Sequence, residues 1–231
     1  FGSLDGKLFD DEVNFDRDWI DDARRYFCNI VGKYGPFVQQ LLKKASTVPI
    51  KMFCPLHGPV WRNDLGYYLD KHDKWSRYEP EEKGVLIVYA SMYGNTEAAA
   101  QALASKLCEK GICNVAVYDV SVTHVSYLVA EAFKYSHIVL ASCTYNLQIY
   151  PMMYDFLHHL KILNFQKRTF GIIENGTWAI KAGDLMRSFI EHELKECLVL
   201  DEQVSVNSSM KESNKTELDA LADTLIDSIQ K

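Results

Sequence analysis

From residue 84 onward the chain repeats one unit five times: a short apolar run, a polar loop, then an amphipathic stretch. The apolar runs are Val85–Ala90, Val115–Asp119, His137–Ala141, Thr169–Ile173 and Leu198–Ser205. The helical stretches are Thr96–Lys110, Val125–Lys134, Tyr150–Leu163, Gly183–Leu194 and Lys215–Ile229. Strict alternation of this kind dictates a parallel sheet with helices on both faces, because right-handed crossovers put the helices there. The first run is apolar almost throughout, as a strand buried on both faces must be. The last helix is well signed: Asn214 reads as its N-cap, with Glu217 at capping-box spacing. Leu218, Leu221, Ala222, Leu225, Ile226 and Ile229 then line one face. A doubly wound sheet takes its ligand beyond the carboxyl ends of the strands, where strand order reverses.

The first eighty residues have a different character. Asp16–Ser46 reads as one long helix, with Trp19, Ala23, Tyr26, Phe27, Ile30 and Val31 near helical spacing and a break or kink at Gly35-Pro36. Val48–Phe53 reads as a short strand, Asp64–Trp75 as a helix, and the charged stretch Lys74–Lys83 as a linker. The 231 residues give room for one large domain or up to two ordinary ones, divided at 1–80 and 81–231. A net charge of −6 argues against nucleic acid as a main partner. No apolar run approaches the ~20 residues that span a bilayer. The first twenty residues are acidic, unlike a signal peptide. The six cysteines lack C-x-x-C spacing, which fits reduced thiols and a cytoplasmic location.

Three loops carry the chemistry. The first strand runs into Ser91-Met92-Tyr93-Gly94-Asn95-Thr96 and then an alanine-rich helix. Hydroxyls, an amide and free backbone N–H groups at a helix N-terminus favour an anion. Neither a Walker loop nor G-x-G-x-x-G is present. The second loop is Ser142-Cys143-Thr144-Tyr145-Asn146 and the third Glu174-Asn175-Gly176-Thr177-Trp178-Ala179. Both leave the carboxyl ends of strands expected to flank the first. Each sets one large aromatic, Tyr145 or Trp178, beside small polar residues, the combination a flat redox ring needs. Taken singly, each aromatic reads equally well as a packing residue, and the first loop as a plain polar turn.

Together the loops resemble those of a known family. Ser91–Thr96 resembles the flavodoxin phosphate loop, and Ser142–Asn146 the S-P-T-Y-N loop of the flavodiiron proteins. Phe1–Phe9 is similar to the stretch just after the aspartate iron ligand of that family's metallo-β-lactamase-like domain, and Cys54-Pro55-Leu56-His57-Gly58-Pro59-Val60-Trp61 to the loop carrying its last histidine ligand. The resemblance implies a flavodoxin-like five-stranded parallel sheet of order 2-1-3-4-5, preceded by a partial metallo-β-lactamase-like α/β segment. It implies FMN held by the three loops, with Ser91, Tyr93, Asn95 and Thr96 on the phosphate, Tyr145 and Trp178 bounding the ring, and backbone groups around Asn146, Asn175 and Gly176 at its polar edge. It implies His57 as an iron ligand of a diiron centre. The H-x-E-x-D-H segment that supplies most of the other ligands does not occur, and His72, His124, His137, His158, His159 and His192 do not replace it. The chain is therefore expected to be a C-terminal portion unable to assemble the diiron centre alone. Two loops depart from the family: Cys143 replaces a proline, with a thiol expected to be redox-sensitive near a flavin, and Glu174–Ala179 replaces G-S-Y-G-W.

The function implied is FMN-dependent electron transfer within an oxidoreductase that reduces dioxygen to water or nitric oxide to nitrous oxide. The implied partners are a rubredoxin-type or NAD(P)H-linked reductase donor and a second copy in a head-to-tail homodimer. An electron carrier without diiron chemistry and a flavin-free interaction module remain as alternatives.

Overall fold

The computed structural model describes residues 5–231; Phe1 to Leu4, part of the Phe1–Phe9 stretch, lie outside the described residues. Five parallel strands form the centre: β1 (Glu82–Ala90), β2 (Val115–Asp119), β3 (Tyr135–Tyr145), β5 (Thr169–Gly176) and β6 (Leu198–Asn207). Their order is β2-β1-β3-β5-β6, the doubly wound order expected from the sequence. A two-residue strand that the sequence reading lacks, β4 (Gln148–Ile149), folds back antiparallel on β3.

The two faces of the sheet follow the two-residue alternation of each strand. Leu86, Val88, Ala90, Ile138, Leu140, Phe170 and Ile172 bury under α6 (Val125–Lys134), α7 (Pro151–Ile162) and α8 (Ala182–Glu193). Val85, Ile87, Val139, Ala141, Ile173 and Val204 bury under α5 (Asn95–Glu109) and α9 (Glu212–Gln230). Asn214 lies inside α9 rather than at its N-cap: its side chain accepts from Lys211 N at 3.0 Å and donates to Ser205 O at 3.0 Å. The helix gains a turn because this amide closes the β6–α9 connection as well as the helix start.

The N-terminal residues differ from the sequence expectation in three ways. The stretch read as one long helix is broken into α1 (Phe15–Asp18), α2 (Ile20–Tyr26), a π turn at Phe27–Val31, a 3-10 turn at Gly32–Tyr34 and α3 (Gly35–Ala45). Gly35-Pro36 starts α3 rather than kinking a helix, as a proline in the first turn permits. The π turn shifts the buried face, so Phe27 and Cys28 enter the core while Ile30 is exposed. Val48–Phe53 is not a strand; it contributes only the isolated bridge Phe53↔Trp61. The stretch expected as a linker is packed. α4 (Leu65–Ser76), capped by Asp64, runs to residue 76, and Trp75, Ser76 and Tyr78 are buried.

One apolar core therefore runs from Ile20, Phe27, Trp75 and Tyr78 into α6 and the sheet through Phe133. Around it, Glu81 accepts from Arg24, from Trp75 Nε1 at 2.6 Å and from Lys71 Nζ at 3.1 Å. Burial pushes the Glu81 carboxyl up, but these three donors outweigh it and hold it below the usual range. The six cysteines are free thiols. Among the described residues no helix is long and apolar enough to cross a membrane.

Candidate functional site

The loops after β1, β3 and β5 emerge side by side, because β3 lies between the other two: Ala90 pairs with Ser142, and Cys143 with Asn175. The third loop's strand thus flanks β3 and not β1, which widens the site by one strand spacing, about 4.8 Å. Met92, Thr144, Tyr145, Asn146, Leu147, Thr177, Trp178 and Ala179 line one groove of about 620 Å³ there.

In the first loop Gly94 is the N-cap of α5, with φ +83°, and an added Cβ would meet nothing within 4 Å. The backbone conformation, rather than crowding, requires glycine. Gly94 N donates to Ser91 Oγ at 3.0 Å, and the helix ladder opens with Ala98 N donating to Gly94 O at 2.8 Å. The α5 start therefore leaves the N–H groups of its first turn without partners inside the helix, beside Ser91 and Asn95, the kind of place that favours an anion. Thr96 is buried and Tyr93 exposed.

The second loop is a two-residue hairpin turn between Tyr145 and Gln148. Asn146 and Leu147 have φ of +49° and +61°, the signature of a type I′ turn. Asn suits this conformation; leucine does not. Ser142 is fully buried, and its hydroxyl donates to Cys143 O at 3.1 Å. Cys143 is 7% exposed. Burial pushes its thiol up, against the backbone N–H groups of Cys143 and Met92. Raising a thiol in this way disfavours the reactive thiolate.

The third loop divides by role. The Glu174 carboxylate is buried and accepts from Gly183 N at 2.7 Å, Gln203 Nε2 at 2.9 Å and Ser205 Oγ at 2.8 Å. Asn175 donates to Ser208 O at 3.0 Å, and Ser208 N to Gly176 O at 3.0 Å. These side chains bind β5 to its neighbours. Thr177 and Trp178 are the part that faces the groove, and Trp178 is 100% exposed against 42% for Tyr145.

Ala179, the last residue of the third loop as read from the sequence, lines the groove, and so does Leu147, which the sequence did not single out. The hairpin was legible only from Asn146, since Asn-Leu lacks the glycine that marks such turns. His57 lies outside this site, exposed in the loop before Val60, with the Tyr26 ring 5.5 Å from its own. Among the described residues no group of three or more His, Cys, Asp or Glu side chains is placed to hold a metal.

Residues 87–182 match the Flavodoxin family model. The chain is 26% identical over 188 residues to the anaerobic nitric oxide reductase flavorubredoxin of Aeromonas hydrophila, covering 80% of this chain and 37% of that protein. It is 29% identical over 163 residues to the rubredoxin-oxygen oxidoreductase of Megalodesulfovibrio gigas, covering 68% of this chain and 39% of that one. The flavodiiron protein from Giardia intestinalis shares the fold, with a TM-score of 0.87 at 21% identity over 97% of this chain and 56% of that chain. The chain spans less than two fifths of the length of these curated relatives.

Proposed function

We propose that this flavodiiron-protein-like chain, whose flavodoxin-like domain we assign to residues 81–231, binds FMN between its three adjacent loops and passes electrons through it. The observation that carries the reading is the convergence of the loops after β1, β3 and β5 on one groove edged by Tyr145 and Trp178. The donor set fits the cofactor. Ser91, Asn95, Thr96 and the α5 N-terminus supply neutral donors for a phosphate, with Met92, Tyr93 and Gly94 completing the turn. Tyr145 and Trp178 supply two exposed aromatic faces for a flat ring. Backbone groups around Asn146, Thr177 and Ala179 meet its polar edge; Ser142, Cys143, Glu174, Asn175 and Gly176 hold the loop bases in place.

When bound, FMN supplies the one- and two-electron chemistry. The chain's own part is to fix the phosphate, stack the ring and limit water at its faces. No side chain is required as an acid or base. Residues 1–80 are proposed as the end of a metallo-β-lactamase-like domain, with His57 as one iron ligand. The described residues do not by themselves fit a diiron centre. The names of the relatives support an oxidoreductase acting on nitric oxide or dioxygen and a rubredoxin-type donor; the family resemblance adds an NAD(P)H-linked reductase as the alternative donor and a head-to-tail homodimer, and the scattered thiols a cytoplasmic location.

The test is a titration of the purified chain with FMN. Uptake in near-stoichiometric amount, with quenching of flavin and tryptophan fluorescence, is the expected result. A folded, colourless protein indifferent to FMN overturns the reading.

A further inference from the structure

We propose that Thr144 is a positioning residue, whose hydroxyl fixes the start of α8 to the β3 loop and thereby sets the Trp178 loop against the flavin ring. The inference rests on the FMN reading above. It draws on a feature that reading does not use: the α8 N-terminus opens beside the groove, yet its leading N–H groups are already held by side chains.

Thr144 Oγ1 accepts from Lys181 N at 2.9 Å and from Ala182 N at 3.1 Å. The next N–H, that of Gly183, goes to Glu174 Oε2 at 2.7 Å. Three successive N–H groups at one helix start are thus held from two different strands, β3 and β5. The approach is tight. A Cβ on Gly183 would lie 2.6 Å from both Glu174 Oε2 and Gln203 Nε2. The helix start is therefore no anion site; it is a joint between the two aromatic-bearing loops.

The far end of the Trp178 loop is fixed as well, by Ser208 N donating to Gly176 O and Asn175 Nδ2 donating to Ser208 O. Between these anchors Lys181 and Ala182 fix where the loop turns into α8, and Ser208 Oγ reaches Thr177 Oγ1 at 3.4 Å within it. Trp178 itself is fully exposed, so packing does not place it. Its position is inherited from Thr144.

Thr144 also lines the groove. A threonine oxygen has two lone pairs and one hydrogen. Both lone pairs are occupied, so toward a flavin Thr144 is left as a donor only, suited to a ring carbonyl, a ring nitrogen or a ribityl oxygen. Thr144→Ser keeps both functions; Thr144→Val, nearly the same shape, removes both.

The experiment compares wild type, Thr144→Val and Thr144→Ser in the full chain. Amide hydrogen exchange at Lys181 and Ala182 is measured without flavin, and affinities for FMN and riboflavin by titration. The Trp178 contribution to quenching is isolated with Trp178→Phe. In Thr144→Val both amides should exchange on the order of tenfold faster, the effect of losing a helix cap. FMN and riboflavin should weaken together, on the order of tenfold, with loss of Trp178 quenching, because the ring and not the phosphate has lost its wall. Thr144→Ser should restore all three readouts. Wild-type exchange rates in Thr144→Val overturn the joint. Faster exchange with unchanged flavin affinity and quenching leaves a plain helix cap and overturns the positioning role. If Thr144→Val does not fold, the wild type decides: FMN must slow exchange at Lys181 and Ala182, and no change overturns the proposal. A wild type that binds neither flavin ends the FMN reading and this inference with it, whereas a binding wild type with an indifferent Thr144→Val ends this inference alone.

Discussion

A carboxylate in place of the Asn95 amide separates binding from stability at the first residue of α5. Negative charge in the first turn of a helix favours the helix by about 0.3–1 kcal/mol. The same charge repels a phosphate seated there. Asn95→Asp should therefore weaken FMN by roughly tenfold or more while leaving riboflavin affinity and the melting temperature unchanged or slightly raised. Parallel titrations with the two flavins check this, and equal losses for both would place the phosphate elsewhere. The phosphate turn was legible in the sequence because its parts are contiguous: Ser91 Oγ meets Gly94 N three residues on, and Gly94 caps the helix that follows. Glu174 was not legible in this way. Its partners, Gly183, Gln203 and Ser205, come from a helix and a neighbouring strand. From sequence it was one more polar residue in a promising loop.

Elements show the same division between local and distant causes. The five βα units and the amphipathic face of α9 follow from periodicity, and all five units appear, in the strand order that the family resemblance implies. The β3–β4 hairpin did not stand out because its turn violates its own chemistry at Leu147, held at φ +61°. Leu147→Gly should raise stability by about 1 kcal/mol by removing this left-handed strain, read from urea unfolding; a decrease would show that the leucine packs there after all. Another element-scale test concerns the bond between β3 and α9. His137 Nε2 pairs with Ser228 Oγ at 3.0 Å and Nδ1 with Ser136 Oγ at 2.8 Å. Burial first, then the charges of Arg168 and Lys83, push its pKa down to about 4, so the imidazole is neutral in the fold. The unfolded chain takes up this proton near pH 6.5, the ordinary histidine value. Its contribution is thus intact above about pH 6.5 and falls away as the pH drops toward 4, by roughly 3 kcal/mol in all. His137→Gln should flatten that part of the stability–pH curve.

At the scale of the whole molecule, the N-terminal residues and the sheet share one core and one buried ion-pair cluster at Glu81. This junction could not be read from the charged stretch Lys74–Lys83, because charge in a sequence does not reveal that its partners are buried beside it. Urea unfolding should show one cooperative transition. Glu81→Gln should lower its free energy by about 3 kcal/mol, the cost of leaving a buried cation short of its counter-charge. Two separate transitions would mean that the parts fold independently. Arg168 gives the molecule a second fixed point. Fully buried, it donates to Tyr78 O at 2.6 Å, Phe133 O at 2.8 Å, Tyr135 O at 2.7 Å and Gln166 O at 3.2 Å. Those carbonyls lie just before or at the amino ends of β1, β3 and β5, the three strands whose opposite ends carry the groove. The three strands are thereby tied at the end away from the groove, and their ladder ties them again beside it, Ala90 to Ser142 and Cys143 to Asn175. A sheet clamped at both ends resists splaying, so the spacing of the three loops is carried by the frame and not by whatever lies between them.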